Sequence, residues 1–323
     1  MQRAKLLIIA SLLCAAPSSV WAVEGPTAAG PIGGTDIRSA MLPPPGLYGG
    51  TFLAGANAFD FVDGKGETIP ALRDANLSKE LVGPFLYGVS DGKVFGGSIG
   101  LGTLLPIGNQ CGHLFIGQSD DCTRGAGDVY MEVDWSRSFG KLRPSKFPGA
   151  LPIFQGLSVL GGFGIVFPGQ AYDASDPLQQ ALSIANNTWD FAPTAGFTYT
   201  TRPILADGTE ISFRFFWNNY LENPATHYST GDLLDFEFAL TERIGRFQVG
   251  VTGFYAFQDE DDRLFGVRIP PDGRRTTNAQ VAPIVNYDMP EYNSSIKIKA
   301  LTTVVTENTV RSWGIVFGWF KKF

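Results

Sequence analysis

The chain has 323 residues, a net charge of −6 and only 17% charged residues, together with 13% aromatic residues and 39 glycines. Ordinary globular domains carry about a quarter charged residues, so the composition is unusual for a soluble protein. The acidic balance and the lack of a basic stripe argue against nucleic acid as a partner. After residue 22, no apolar run approaches the roughly twenty residues that a membrane-spanning helix requires.

The first 22 residues have the features of a cleaved signal peptide. Arg3 and Lys5 precede an apolar run over residues 6–16, and Ala22 ends a plausible cleavage site. The run is too short to remain as a spanning helix. Residues 23–45 follow and are rich in glycine and proline. They form either a plug that enters a lumen from below or a loose periplasmic tail.

From residue 46 onward, apolar residues alternate with small or polar ones over segments that Gly, Pro, Asn and Asp bound. This alternation is typical of β-strands, and only residues 177–184 suggest a short helical turn. About twelve strands are predicted, although ten or fourteen remain open. Their spans are 46–57, 78–90, 93–106, 126–138, 155–167, 187–200, 208–221, 231–244, 246–258, 279–289, 292–305 and 310–323.

The connections between these strands alternate in length. Outer-membrane barrels have short periplasmic turns and long outer loops, and an even number of strands returns both ends to the periplasm. Two connections break the rule, because 139–154 is long and 307–309 is short. We nevertheless predict an all-β fold, a transmembrane antiparallel up-and-down β-barrel over residues 46–323, in preference to a secreted β-sandwich. Its expected location is the bacterial outer membrane.

Cys111 and Cys122 flank a glycine-rich, acidic segment within residues 107–125, which is predicted to be a loop. In an exported protein such a pair favours a local disulfide that staples the loop. His113 is the one other soft ligand nearby, so no metal site is expected, and nothing in the sequence indicates a cofactor.

Several predicted strands carry charges on one face and large apolar side chains on the other. An arginine or lysine that faces lipid near mid-membrane costs about 2–4 kcal/mol, so the charges are expected to face the lumen. Arg214 is expected to pair with Asp235 and Glu237 on a neighbouring strand. The charges form either a constriction that orders substrates or a structural ladder that holds register. The candidates are Glu132, Asp134, Arg214, Asp235, Glu237, Asp288, Lys297 and Lys299.

The last predicted strand places large apolar side chains on every second position. In a barrel this face meets lipid, and the terminal aromatic resembles the insertion signal that the barrel-assembly machinery reads in outer-membrane proteins. The residues of this expected signal are Trp313, Ile315, Phe317, Trp319 and Phe323.

Short motifs give the chain a family resemblance. Residues 223–232 resemble an Asn-x-x-Thr-x-Tyr-x-Ser-Gly-Asp loop, with Thr230 at the serine position, and residues 125–128, 167–169 and 187–193 match further strand starts and ends. The loop residues are Asn223, Thr226, Tyr228, Gly231 and Asp232. The chain thereby resembles the outer-membrane proteins grouped under the meta pathway of phenol degradation. That resemblance implies a barrel that passes aromatic or other hydrophobic compounds.

The expected function is therefore passive uptake of small hydrophobic or aromatic solutes, with outer-membrane lipid as the surroundings and the oligomeric state left open. Two rivals remain: an outer-membrane hydrolase, and a structural or adhesive barrel without transport. A hydrolase would need His227 beside Ser229 or Asp232. The sequence has no Gly-x-Ser-x-Gly elbow, His-Glu-x-x-His helix or phosphate-binding glycine loop, so an enzyme is not expected. The 223–232 motif is also turn chemistry, and a substrate role for Tyr228 or His227 stays open.

Overall fold

The computed structural model of this protein describes Glu24 and residues 30–323. The predicted signal peptide, residues 1–22, lies outside them. Among the described residues, no helix combines the length and the apolar character that crossing a membrane requires.

The described chain contains seventeen strands and a short helix, α1 (Pro177–Leu182), with 3₁₀ turns at Pro70–Leu72 and Pro290–Tyr292. The strands are β1 (Gly46–Phe61), β2 (Asn76–Val94), β3 (Gly97–Leu104), β4 (Ile107–His113), β5 (Asp121–Ala126), β6 (Val129–Arg143), β7 (Ile153–Phe167), β8 (Asp190–Thr200), β9 (Gly208–Tyr220), β10 (Tyr228–Ser229), β11 (Leu233–Ile244), β12 (Phe247–Gln258), β13 (Arg263–Leu264), β14 (Val267–Arg268), β15 (Thr277–Met289), β16 (Ser294–Glu307) and β17 (Val310–Lys322).

Twelve of these strands form a closed antiparallel ring. The order is β1-β2-β3-β6-β7-β8-β9-β11-β12-β15-β16-β17, and β17 pairs with β1 to complete it. Tyr48 on β1 lies between Tyr87 on β2 and Lys322 on β17. Closure leaves no sheet edge exposed to lipid, which a membrane-embedded sheet requires. The predicted all-β, twelve-stranded barrel is confirmed.

Alternation along the strands gives the barrel two chemically distinct surfaces. On β9, Ser212 and Arg214 are buried, whereas the neighbouring Ile211 and Trp217 are exposed. On β17, the predicted outward residues Trp313 and Ile315 are exposed as well. In water these exposed apolar side chains would be costly, but in a bilayer they meet acyl chains.

The third and fourth strands of the ring, β3 and β6, are interrupted near the outer end of the barrel. β3 and β4 are separated at residues 105–106, β5 and β6 at residues 127–128, and the amide of Gly127 donates to the carbonyl of Pro106. β4 pairs with the outer end of β2, and β5 pairs with β4 to form a hairpin. The prediction of a loop over residues 107–125 is thus wrong in extent, because most of this segment is strand. Backbone pairing with β2 outweighs the weak strand propensity of its glycines.

A disulfide joins this hairpin, as predicted. Cys111 and Cys122 are direct partners in the β4–β5 register, and their sulfur atoms are bonded. The true loop between the two strands is limited to residues 114–120.

Both connections that broke the length rule have structural explanations. β6 and β7 extend further than predicted, so the connection is residues 144–152 rather than 139–154. The outer turn at Asn308 is tight because that residue adopts a positive φ of 52°, which asparagine tolerates better than most residues.

The outer loops pack over the mouth of the barrel. α1 begins with an N-cap, because the carboxylate of Asp176 accepts from the amides of Leu178 and Gln179. Leu178 and Leu182 of the helix join a buried apolar cluster with Phe61 and Leu77 of the barrel rim. A second small sheet, β10-β13-β14, lies in the outer loops.

Candidate functional site in the lumen

The lumen has two sides of opposite chemistry. The inward side chains of β6, β8, β9, β11, β12, β15 and β16 are mainly polar, and we call them the polar wall. Those of β17, β1, β2 and β3 are mainly small or apolar, and we call them the apolar wall. At mid-barrel the apolar wall includes Phe52, Leu81, Phe85, Gly102, Leu104, Val316, Gly318 and Phe320.

Arg214 is the centre of a buried ion network on the polar wall. One guanidinium nitrogen lies 2.9 Å from both Glu132 Oε2 and Asp134 Oδ1, and the side chain is only 4% exposed. Its Nε donates to Thr194 Oγ1 at 3.0 Å. The hydroxyl of Tyr87, from the opposite wall, donates to Asp134 Oδ2 at 3.0 Å. All three charges are therefore satisfied inside the barrel.

The predicted pairing of Arg214 with Asp235 and Glu237 is wrong. Glu237 faces Arg214 across the β9–β11 register, yet the guanidinium reaches over to Glu132 and Asp134 on β6. Glu237 instead bonds to the N-terminal segment, where it accepts from the amides of Gly34 and Thr35 at 2.7 and 2.6 Å.

Asp235 lies next to Glu237 and is fully buried. Among the described residues, neither of its carboxylate oxygens has a hydrogen-bond partner. The same holds for Asp190 at the outer end of β8, beside Asn218. Both acids lie against the N-terminal segment near Gly30 and Gly33.

Residues 30–40 run through the lumen and bond to the polar wall. Asp36 is 2.6 Å from Lys297 Nζ and 3.2 Å from Lys299 Nζ, and Lys299 also donates to the carbonyl of Gly33 at 2.9 Å. The hydroxyl of Ser136 donates to the carbonyl of Ala40 at 2.6 Å. The segment thus contacts polar side chains of several strands along its length.

Arg38 continues these contacts toward the periplasmic end. Its amide donates to Glu210 Oε1 at 2.7 Å, and its guanidinium donates to Gln248 Oε1 at 2.9 Å. Asp288 is 3.6 Å from the same guanidinium and pairs closely with Arg243. The predicted lumen residue Asp288 therefore belongs to a polar cluster that involves the N-terminal segment.

A cavity of about 610 Å³ lies between the apolar wall and the N-terminal segment. Its surface is mainly apolar and includes six aromatic side chains, of which Phe85 and Phe320 are packed with centroids 5.3 Å apart. Concave, mainly apolar spaces of this size with a few polar groups are typical of small-molecule sites. Its aromatic side chains are Phe52, Phe85, Tyr87, Tyr130, Phe216 and Phe320.

The predicted 223–232 motif forms a tight loop at the outer mouth. The side-chain oxygen of Asn223 accepts from the amide of Ala225 at 2.9 Å, and the amide of Tyr228 lies 3.4 Å from Thr226 Oγ1. Asp232 accepts from the indole of Trp217 at 3.1 Å. These bonds are those of a turn that closes on itself.

Asp262, in the next outer loop, anchors this motif. It accepts from the hydroxyl of Tyr228, from the amide of Gly231 at 2.8 Å and from the side chain of Gln258. Burial raises the pKa of Asp262 to about 7, although these hydrogen bonds lower it in part. Tyr228 is itself buried, so its hydroxyl serves the loop rather than an open mouth.

Both histidines are held by acidic partners in the outer part of the molecule. His227 Nδ1 is 2.8 Å from Glu222 Oε1 rather than from Ser229 or Asp232. His113 Nδ1 is 2.6 Å from Asp120 Oδ1, and its Nε2 is 2.8 Å from the carbonyl of Asp74. Within the described residues, no group of three or more His, Cys, Asp or Glu side chains could hold a metal ion.

Four residues that the structure places in the lumen or in the outer loops were not among the residues predicted from the sequence. Asp36 lies in a glycine-rich segment without periodicity. Asp190 is the first residue of β8, and Asp262 lies in the loop between β12 and β13. Lys79 is different, because its position between Leu77 and Leu81 on the inward face of β2 could have identified it.

Comparisons with known proteins place this geometry in context. No curated protein matches the chain. Among solved structures, the COG4313 outer membrane channel from Pseudomonas putida F1 is 12% identical, with a TM-score of 0.71 over 88% of this chain and 97% of that chain. At this identity the likeness shows the fold, that of an outer-membrane channel.

Two further structures are less alike. A mutant of the TodX monoaromatic hydrocarbon channel is 11% identical with a TM-score of 0.40, over 90% of this chain and 93% of that one. The β domain of the Bordetella autotransporter BrkA is also 11% identical with a TM-score of 0.40, over 86% and 99% of the two chains. The family model described as "Putative MetA-pathway of phenol degradation" matches residues 58–319. The chain belongs to this family of outer-membrane β-barrel proteins.

Proposed function

We propose that this protein admits small hydrophobic or aromatic molecules across the outer membrane by passive diffusion along the apolar wall. The observation that carries the proposal is the cavity of about 610 Å³ between that wall and the N-terminal segment. An apolar solute gains about 25 cal/mol for each Å² of apolar surface that leaves water there. A sugar would instead lose hydrogen bonds that aromatic and aliphatic side chains cannot replace.

The N-terminal segment acts as the plug in this proposal. The amides of Gly34 and Thr35 donate to Glu237, and Lys297 pairs with Asp36. These contacts keep the segment against the polar wall. Charges of both signs are neutralised in these contacts. The polar-wall charges therefore serve mainly as a framework that seats the plug and leaves the other side of the lumen for apolar solutes.

The outer surface of the barrel indicates the partners of the protein in this proposal, which are membrane lipid and the barrel-assembly machinery. The exposed apolar side chains of the strands contact outer-membrane lipid, and export uses the predicted signal peptide. The C-terminal strand with Trp313, Phe317 and Phe323 serves as the signal for the barrel-assembly machinery. Trp319 and Ile315 complete its outward face.

Neither rival function has a supporting arrangement. Hydrolysis needs a nucleophile within hydrogen-bond reach of a base. Among the described residues, His227 is bonded to Glu222 and its ring packs against Phe265, with centroids 5.0 Å apart. A purely structural barrel would have no use for a cavity beside its plug.

Two tryptophan substitutions on one strand test the route. Val316 faces the cavity, whereas Ile315 beside it faces lipid. Val316→Trp should reduce uptake of radiolabelled naphthalene into proteoliposomes by about tenfold or more, because the indole fills the cavity. Ile315→Trp adds a similar volume on the lipid face and should transport like wild type.

Both variants are first checked for heat-modifiable migration, which reports a folded barrel. Glucose should enter none of the vesicles appreciably. Equal naphthalene uptake by Val316→Trp and wild type, or by protein-free and wild-type vesicles, would show that the cavity is not the route.

A further inference from the structure

One charged side chain interrupts the apolar wall toward its outer end. Lys79 lies on the inward face of β2, between Leu77 and Leu81, and its side chain lines the cavity. It is partly buried, and its backbone pairs with Ala56 on β1 and Gln110 on β4. The other charges of the apolar wall lie at the strand ends, as with Asp60 and Lys322.

Lys79 differs from the other two lysines of the cavity in its partners. Lys297 and Lys299 both pair with Asp36. Among the described residues, no carboxylate oxygen lies within 4.0 Å of the Lys79 ammonium, and no hydrogen bond from it is present. The ammonium is thus the cation of this cavity that lacks a direct counter-ion.

Hydrogen bonds to other residues hold the acids that border the cavity away from the Lys79 ammonium. Asp128 is the acid whose charge acts on Lys79, but its carboxylate is held by the amides of Gly169 at 2.8 Å and Asn186 at 3.0 Å. Glu132 is held by Arg214 and by the hydroxyl of Tyr130, both at 2.9 Å.

An uncompensated ammonium in an apolar space is costly, and an anion that enters with it offsets that cost. The rest of the surface suits an aromatic or aliphatic body, since Phe52, Phe85 and Phe320 surround the space. The required ligand therefore has an apolar body and a single negative head group.

We propose that the cavity selects amphiphilic carboxylates, whose head group pairs with Lys79 while the apolar body contacts the aromatic side chains. This inference rests on the proposed function, because it assigns the solute class of the same cavity. A carboxylate accepts a charge-assisted hydrogen bond from a single lysine ammonium, and it carries the single negative charge that Lys79 can balance.

A matched ligand pair tests the assignment. 2-Naphthoate and 2-naphthamide have nearly the same shape and differ in charge. Equilibrium dialysis against the full-length mature protein in nanodiscs of zwitterionic lipid, with empty nanodiscs as blank, gives both affinities. Wild type should bind the naphthoate about tenfold more tightly than the amide, as expected for a charge-assisted hydrogen bond.

Lys79→Met should remove this preference and keep the affinity for the amide. Lys141→Met removes the same charge at an exposed position of β6 and should behave like wild type. Equal binding of both ligands by wild type, or a preference that persists in Lys79→Met, would overturn the assignment. Failure of the naphthoate to bind wild type would overturn it too. Uptake of neutral naphthalene, measured separately, shows in each case whether the channel proposal itself survives.

Discussion

The polar wall and the apolar wall belong to one ring of strands in which side chains alternate between lumen and lipid. They nevertheless present different kinds of side chain to the lumen. On the polar wall, inward charges such as Arg214 and Glu237 are buried and bonded, either to each other or to the N-terminal segment. On the apolar wall, glycines make room for aromatic rings in place of polar side chains. A β-carbon on Gly102 would come within 2.6 Å of Tyr87, and one on Gly318 within 2.8 Å of Phe320.

Under the proposed function, this difference separates two tasks that a uniform lumen could not perform together. A plug needs donors and acceptors to hold a backbone that has no secondary structure of its own. An apolar solute needs a surface without such groups. Because the polar side chains are concentrated on one wall, the segment is held there and the opposite wall stays available.

The largest expected effect is on stability and comes from the polar wall. Arg214→Met leaves Glu132 and Asp134 as buried acids without their cation, which should lower the free energy of unfolding by about 3–5 kcal/mol. Urea unfolding in lipid vesicles measures it. Val316→Ala on the apolar wall is the matched control and should cost only about 1 kcal/mol.

The triple variant Glu132→Gln, Asp134→Asn, Arg214→Met removes all three charges and should regain much of the lost stability. A loss of less than about 1 kcal/mol in Arg214→Met, or no recovery in the triple variant, would mean that the ion network does not hold the polar wall.

A smaller effect is expected where the N-terminal segment meets the polar wall. Asp36→Asn weakens the attraction to Lys297 and Lys299 and should cost about 2 kcal/mol. The amides of Gly34 and Thr35 should then exchange hydrogen faster in a mass-spectrometric experiment. Asp91→Asn, at an exposed position of β2, should leave both rates unchanged. Unaltered exchange in Asp36→Asn would show that the lysine pairs of Asp36 do not help to seat the segment.

The strands were predictable because alternation is a local property that each strand repeats along its length. The partners of Arg214 were not predictable, because Glu237 is its neighbour in register whereas Glu132 and Asp134 lie on β6, which does not pair with β9. Only the curvature of the closed ring brings them together. The β4–β5 hairpin was taken for a loop because its glycines hide the strand pattern, and the pairing with β2 is not visible locally.

The binding position of an apolar solute tests the division of the lumen most directly. Crystals soaked with 1-bromonaphthalene would reveal the bromine by its anomalous scattering. We expect the peak inside the barrel, between Phe52, Phe85 and Phe320 on the apolar wall. A peak against the polar wall, or bromine bound only on the outer surface of the barrel, would contradict the proposed route.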